Sequence, residues 1–132
     1  MGDCYKTYNK TLKELIDIVS NELPRDSLME DIKRKYTAAV TSDRTLLLTE
    51  SGKELFAYRD YIAEGRWDEL INTEWTEAEL NPVDGVDIKA IQQMIIVLRG
   101  IWAKYDADEK KYIQKLIKTL LSEYVKYRMS NQ

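Results

Sequence analysis

Apolar residues along this chain recur at helical spacing in nearly every segment, and nowhere do they alternate with period two for long enough to make a strand. Tyr8, Leu12, Leu15, Ile16, Val19 and Leu23 fall on one face, opposite Lys10, Lys13, Glu14, Asp17 and Asn21. That stripe predicts a first helix, which Asn9 or Thr11 is placed to cap. It stops before Pro24, because a proline ring disfavours helical backbone at the residue preceding it. Ile18 lies off the stripe and offers a second contact surface.

Ser27-x-x-Glu30 has the form of a capping box, and the helix it opens is expected to bury Leu28, Ile32, Tyr36 and Val40. "TSDRT" (41–45) ends that helix. Leu46, Leu47 and Leu48 begin another apolar segment, with Gly52 separating a short turn from the main helix. Leu55, Phe56, Tyr58, Arg59 and Ile62 continue it as far as Gly65, which can stop a helix in the left-handed conformation. Residues 66–87 change character, with Asn-Pro, Asp-Gly and only brief apolar pairs, and read as a short helix followed by an acidic connection.

Regular spacing then returns. Asp87 is placed to cap a helix burying Ile88, Ile91, Met94, Ile95, Leu98, Ile101, Trp102 and Tyr105. Asp106 starts a last helix whose apolar face is Tyr112, Ile113, Leu116, Ile117, Leu120, Leu121, Tyr124 and Val125. The loop between these two is so short that they should form an antiparallel hairpin. The expected fold is all-α: a compact bundle of five or six helices, with an acidic irregular segment before a C-terminal helical hairpin. Residues 1–132 form a single domain, with residues 1–6 as a flexible tail and 66–87 as the acidic connection.

Composition agrees with this and narrows the function classes. The 132 residues are 44% hydrophobic and 33% charged with 5 Gly and 2 Pro, which suits a helix-rich globule able to bury a core without staples. A net charge of −3 exerts no global pull toward nucleic acid or anionic membrane. The charge is unevenly placed, however: residues 68–87 hold seven acids and no base, whereas residues 88–132 hold nine bases and four acids. The lone Cys4 permits no internal disulfide, and no apolar run approaches the length of a membrane span or a secretory leader. A soluble, intracellular, non-secreted protein is expected. Lys6 stands where a myristoylation motif wants Ser or Thr, so Gly2 is a poor acceptor.

Catalytic chemistry finds little support. The chain has no histidine, which removes the usual general base near neutral pH and every His-containing triad or metal site. It also lacks the Gly-rich phosphate loops, and the acids of residues 68–87 do not match a calcium-loop spacing. No catalytic residue, metal site, cofactor or small-molecule substrate is expected. Interaction chemistry is better represented. Trp67 and Trp75 flank acids in an irregular segment and suit either the core or a partner contact. Glu74, Glu77 and Glu79 offer a docking surface for a basic partner, and Lys111, Lys115 and Lys118 give the last helix a basic face. Such a face is most simply solvated. It is also suited to nucleic acid, or to the acidic segment of a second copy in a repeating head-to-tail contact.

The stretch "YNKTLKELIDIVSNELPRD" resembles the start of small helical proteins of nucleocytoplasmic large DNA viruses, which begin Phe/Tyr-Asn-Lys-Thr-Leu-x-Glu-Leu/Phe. Tyr8, Asn9, Lys10, Thr11, Leu12, Glu14, Leu15 and Pro24 carry the match. Leu55-Phe56, Tyr58–Tyr61 and "LRGIWAKYDADEKKYIQKLIKTLL" (98–121) repeat that group's order of features, and residues 66–87 depart from it. The resemblance implies a non-enzymatic viral protein of the virion or of late infection, such as a minor capsid component. Its expected partners are a capsid protein or a second copy, in the host cytoplasm and the virion. The alternative is an intracellular regulator that binds nucleic acid or the transcription machinery through the basic C-terminal helix.

Overall fold

The computed structural model describes residues 4–72 and 90–130, and every regular element among them is helical. Five are long: α1 (Cys4–Glu22), α2 (Ser27–Ser42), α3 (Leu46–Phe56), α6 (Ala90–Ile101) and α7 (Ala107–Ser130). Two are five-residue helices, α4 (Arg59–Ala63) and α5 (Trp67–Ile71), and a 3-10 turn, Trp102–Lys104, follows α6. The all-α bundle read from periodicity is the fold observed, and no described helix is long and apolar enough to cross a membrane.

α1 and α7 pair antiparallel, bringing Glu14 to Tyr112 and Cys4 to Glu123. The expected α1 stripe is buried from Tyr8 to Val19, with Leu23 partly so. Facing it, Ile113, Leu116, Ile117, Leu120 and Tyr124 of α7 are buried. Tyr112, expected in the core, instead stands exposed and donates its hydroxyl hydrogen bond to Glu14. A reciprocal cap fixes the start of α7: Asp106 Oδ1 accepts from the Glu109 amide (2.8 Å) and Glu109 Oε1 from the Asp106 amide (3.0 Å).

α3 lies against both of these helices, and two small neighbouring residues let it approach. Ser51 Oγ and Tyr8 Oη are 2.7 Å apart in the interior, and Ser51 also donates to the Leu47 carbonyl. Gly52 sits under the Tyr124 ring so closely that a Cβ there would come within 2.4 Å of it. Gly52 is therefore not the end of a turn, as its position suggested, but an interior helical residue that clears space for an aromatic side chain.

α2 and α6 pack on this unit through a polar lock. Gln93 of α6 is 2% exposed, yet both ends of its amide are satisfied. Nε2 donates to Asp31 Oδ2 (2.8 Å) and Oε1 accepts from Lys35 Nζ (3.0 Å). The Gln93 hydrogen bond, followed by those from Lys35, holds the Asp31 carboxyl below its usual range. The buried face of α2 is Met29 and Ile32, and Val40, expected inside, is exposed. The cap is also one residue earlier than the Ser27 box implied, because Asp26 Oδ1 accepts from the Met29 amide (3.1 Å).

Other boundaries shift for local reasons. α1 begins at Cys4, so residues 4–6, expected in a flexible tail, are helical, and Asn9 and Thr11 lie inside the helix rather than at its cap. Asn9 Nδ2 donates to the Arg44 carbonyl (2.9 Å), and the Asn9 carbonyl accepts from Tyr36 Oη (3.1 Å), tying α1 to the α2–α3 connection and to α2. Gly65 has φ +70°, the left-handed stop expected of it. At Gly100, by contrast with Gly52, a Cβ would meet nothing within 4 Å.

The same substitution should therefore have opposite effects at two helical glycines. Gly52→Ala drives a methyl group into the Tyr124 ring and is expected to lower stability by about 1–3 kcal/mol, whereas Gly100→Ala should raise it by about 0.5–1 kcal/mol. Urea unfolding midpoints of both variants decide the matter; a stabilised Gly52→Ala would contradict the close contact.

Burial pushes the Tyr8 hydroxyl well above its usual pKa, and burial with Glu22 and Glu109 nearby pushes Tyr105 up to about 12. A phenol whose folded-state pKa is raised contributes stability that is complete below the unfolded value, about 10, and drains away as pH climbs past it. Tyr8→Phe should cost about 1 kcal/mol at neutral pH for the lost hydrogen bond. Its melting temperature should fall less steeply than that of the parent chain between pH 9.5 and 12. Parallel pH curves would count against the buried Tyr8–Ser51 pair.

Candidate functional site

The lysines singled out in the sequence come together on α7. Lys111, Lys115, Lys118 and Lys126 are exposed and recur at spacings of four, three and eight, which places them on one face over about 22 Å of helix. Among the described residues Lys111, Lys115 and Lys118 form no ion pair, while Lys126 meets Glu123 at 3.3 Å. Among the described residues the basic face is thus largely uncompensated, and it stands on the longest described helix, anchored along its opposite side by α1.

A second pattern was not visible in the sequence, because it joins residues far apart in the chain. Cations of α7 lie over aromatic rings that other elements hold in place. Lys110 Nζ is 5.5 Å from the Trp102 ring centroid, Lys118 Nζ 6.0 Å from Trp67, and Arg128 Cζ 4.7 Å from Phe56. Phe56 carries a second guanidinium, that of Arg59, at 4.4 Å, and Arg59 also donates to the Phe56 carbonyl (3.1 Å). The Phe56 ring rests in turn against Tyr124, with centroids 5.9 Å apart.

Trp67 opens α5 and is 8% exposed, so it serves the core and leaves little surface for a partner. Arg99 Nε supports the end of the same helix by donating to the Ile71 carbonyl (3.0 Å). Trp75, Glu74, Glu77 and Glu79 lie outside the described residues.

A cavity of about 530 Å³ opens between α2, α3 and α6, lined by Lys35, Leu46, Leu47, Glu50, Lys53 and Glu54 among others. Two of its charges already have structural duties. Lys35 holds Gln93, and Glu54 Oε2 accepts from the Gln92 amide in the first described turn of α6 (2.9 Å). Among the described residues no group of three or more His, Cys, Asp or Glu is placed to hold a metal ion. What the arrangement offers is a positively charged helix face on α7. No family model, curated protein or solved structure matches the chain.

Proposed function

We propose that this chain is a non-enzymatic helical interaction module and, on the resemblance of its opening stretch, a structural or virion-associated component of a large DNA virus, such as a minor capsid protein. The observation that carries the interaction reading is the stripe of Lys111, Lys115 and Lys118, exposed and without ion pairs among the described residues. Three like charges on one helix face repel one another mildly, and a partner surface bearing carboxylates relieves that repulsion. The partner is a protein with an acidic surface, a capsid protein or a second copy of the chain. A net charge of −3 disfavours long-range attraction to nucleic acid, which is why the regulator reading stands second.

Charge reversal separates this role from stability. Lys111→Glu, Lys115→Glu and Lys118→Glu together should leave unfolding free energy within about 1 kcal/mol, because each side chain is exposed. Mass spectrometry of purified virus particles should find the chain, and cross-linking should join Lys111 or Lys115 to a structural protein; the triple variant should lose that link. Absence from particles would overturn the virion reading. Salt-dependent binding to duplex DNA that disappears in the triple variant would favour the regulator instead.

A further inference from the structure

Beside the lysine stripe, α4 and α7 leave an open groove of about 390 Å³. Its floor is aliphatic, made by Ile62, Ala63, Leu121 and Val125, and Lys118 and Lys126 line it. Two arginines flank one end of it. Arg59 stands one turn before Ile62 on α4, and Arg128 one turn after Val125 on α7. Both guanidiniums lie over the Phe56 ring, at 4.4 and 4.7 Å from its centroid, so one ring holds both arginines at that end.

Neither arginine forms an ion pair among the described residues. Stacking on a ring, with Arg59 further fixed to the Phe56 carbonyl, restricts both side chains before any ligand arrives. A guanidinium stacked by its flat face keeps edge N–H donors for a carboxylate. The pattern is thus an apolar floor about 15 Å long, from Lys118 to Arg128, with cations at both ends.

From this we infer that the α4–α7 groove is a docking site for a short acidic amphipathic helix of a partner protein. Roughly three turns would lay aliphatic side chains on Ala63, Leu121 and Val125, over the buried Ile62, and bring flanking carboxylates to Lys118, Arg59 and Arg128. A polyanion alone fits less well, since an aliphatic floor offers nothing to phosphate and the Phe56 ring is already covered by guanidiniums. The inference deepens the interaction reading above by naming the chemical class of the partner and where it sits.

The test uses the full chain and three probes. One is a fluorescent synthetic 16-residue peptide with leucines along one helical face and glutamates beside them. The second has the same composition with the leucines scattered, and the third is an oligothymidylate. The amphipathic peptide should bind and shift amide NMR signals of residues 59–63 and 118–128, and the scattered one should not. Arg59→Gln with Arg128→Gln should weaken binding about tenfold. Ala63→Glu, at an exposed position, should abolish it with the helical circular-dichroism signal intact. Lys10→Gln with Lys104→Gln, exposed and outside the groove, should leave it unchanged.

Equal binding of the two peptides would overturn the proposal. So would oligothymidylate displacing the amphipathic peptide through the same arginines, or a sedimenting dimer that the arginine pair variant dissolves. Particle cross-links at Lys111 or Lys115 without any peptide binding would sink the groove and leave the virion reading standing; the reverse result would do the opposite.

Discussion

The bundle depends on how closely α3 can approach two helices at once. Ser51 and Gly52 are adjacent, and each meets a different partner: the serine hydroxyl accepts the hydrogen bond of the buried Tyr8 of α1, and the glycine yields its side-chain space to Tyr124 of α7. Larger residues at either place would push α3 off one neighbour. Because α1 and α7 are themselves paired, such a displacement would be felt in the core they share with it. The α2–α6 layer, locked by Gln93, and the α4–α5 strap are built onto this three-helix junction.

Elements whose contacts are mostly apolar were the easiest to read. The α1 stripe, the buried face of α6 and most of α7 followed from spacing alone, since a helix facing a hydrophobic core must repeat its apolar residues every three to four positions. α2 was harder. Part of its inner face is polar, with Asp31 and Lys35 turned toward Gln93, so apolar periodicity placed the buried stripe on Val40 as well as Ile32 and passed over Met29. Glycines misled for a related reason: a residue without a side chain gives the same letter whether it sits under an aromatic ring, as Gly52 does, or faces open space, as Gly100 does.

The basic face of α7 was legible because its lysines recur within one helix. The stacking of its cations on Trp67, Trp102 and Phe56 was not, since those rings arrive from elements separated by up to 72 positions in the chain. The α4–α7 groove was missed altogether. Its two walls belong to segments each of which reads as an ordinary amphipathic helix, and only their placement in the fold brings Arg59 and Arg128 to the same Phe56 ring.

The opening Tyr8-Asn9-Lys10-Thr11 takes on a different meaning once its contacts are known. Tyr8 and Thr11 are buried, Asn9 is fastened to Arg44 and Tyr36, and of the four only Lys10 is fully exposed to water. A tetrapeptide engaged in internal fastening constrains the interior of the scaffold and leaves its outer surface free to be shaped by whatever it meets.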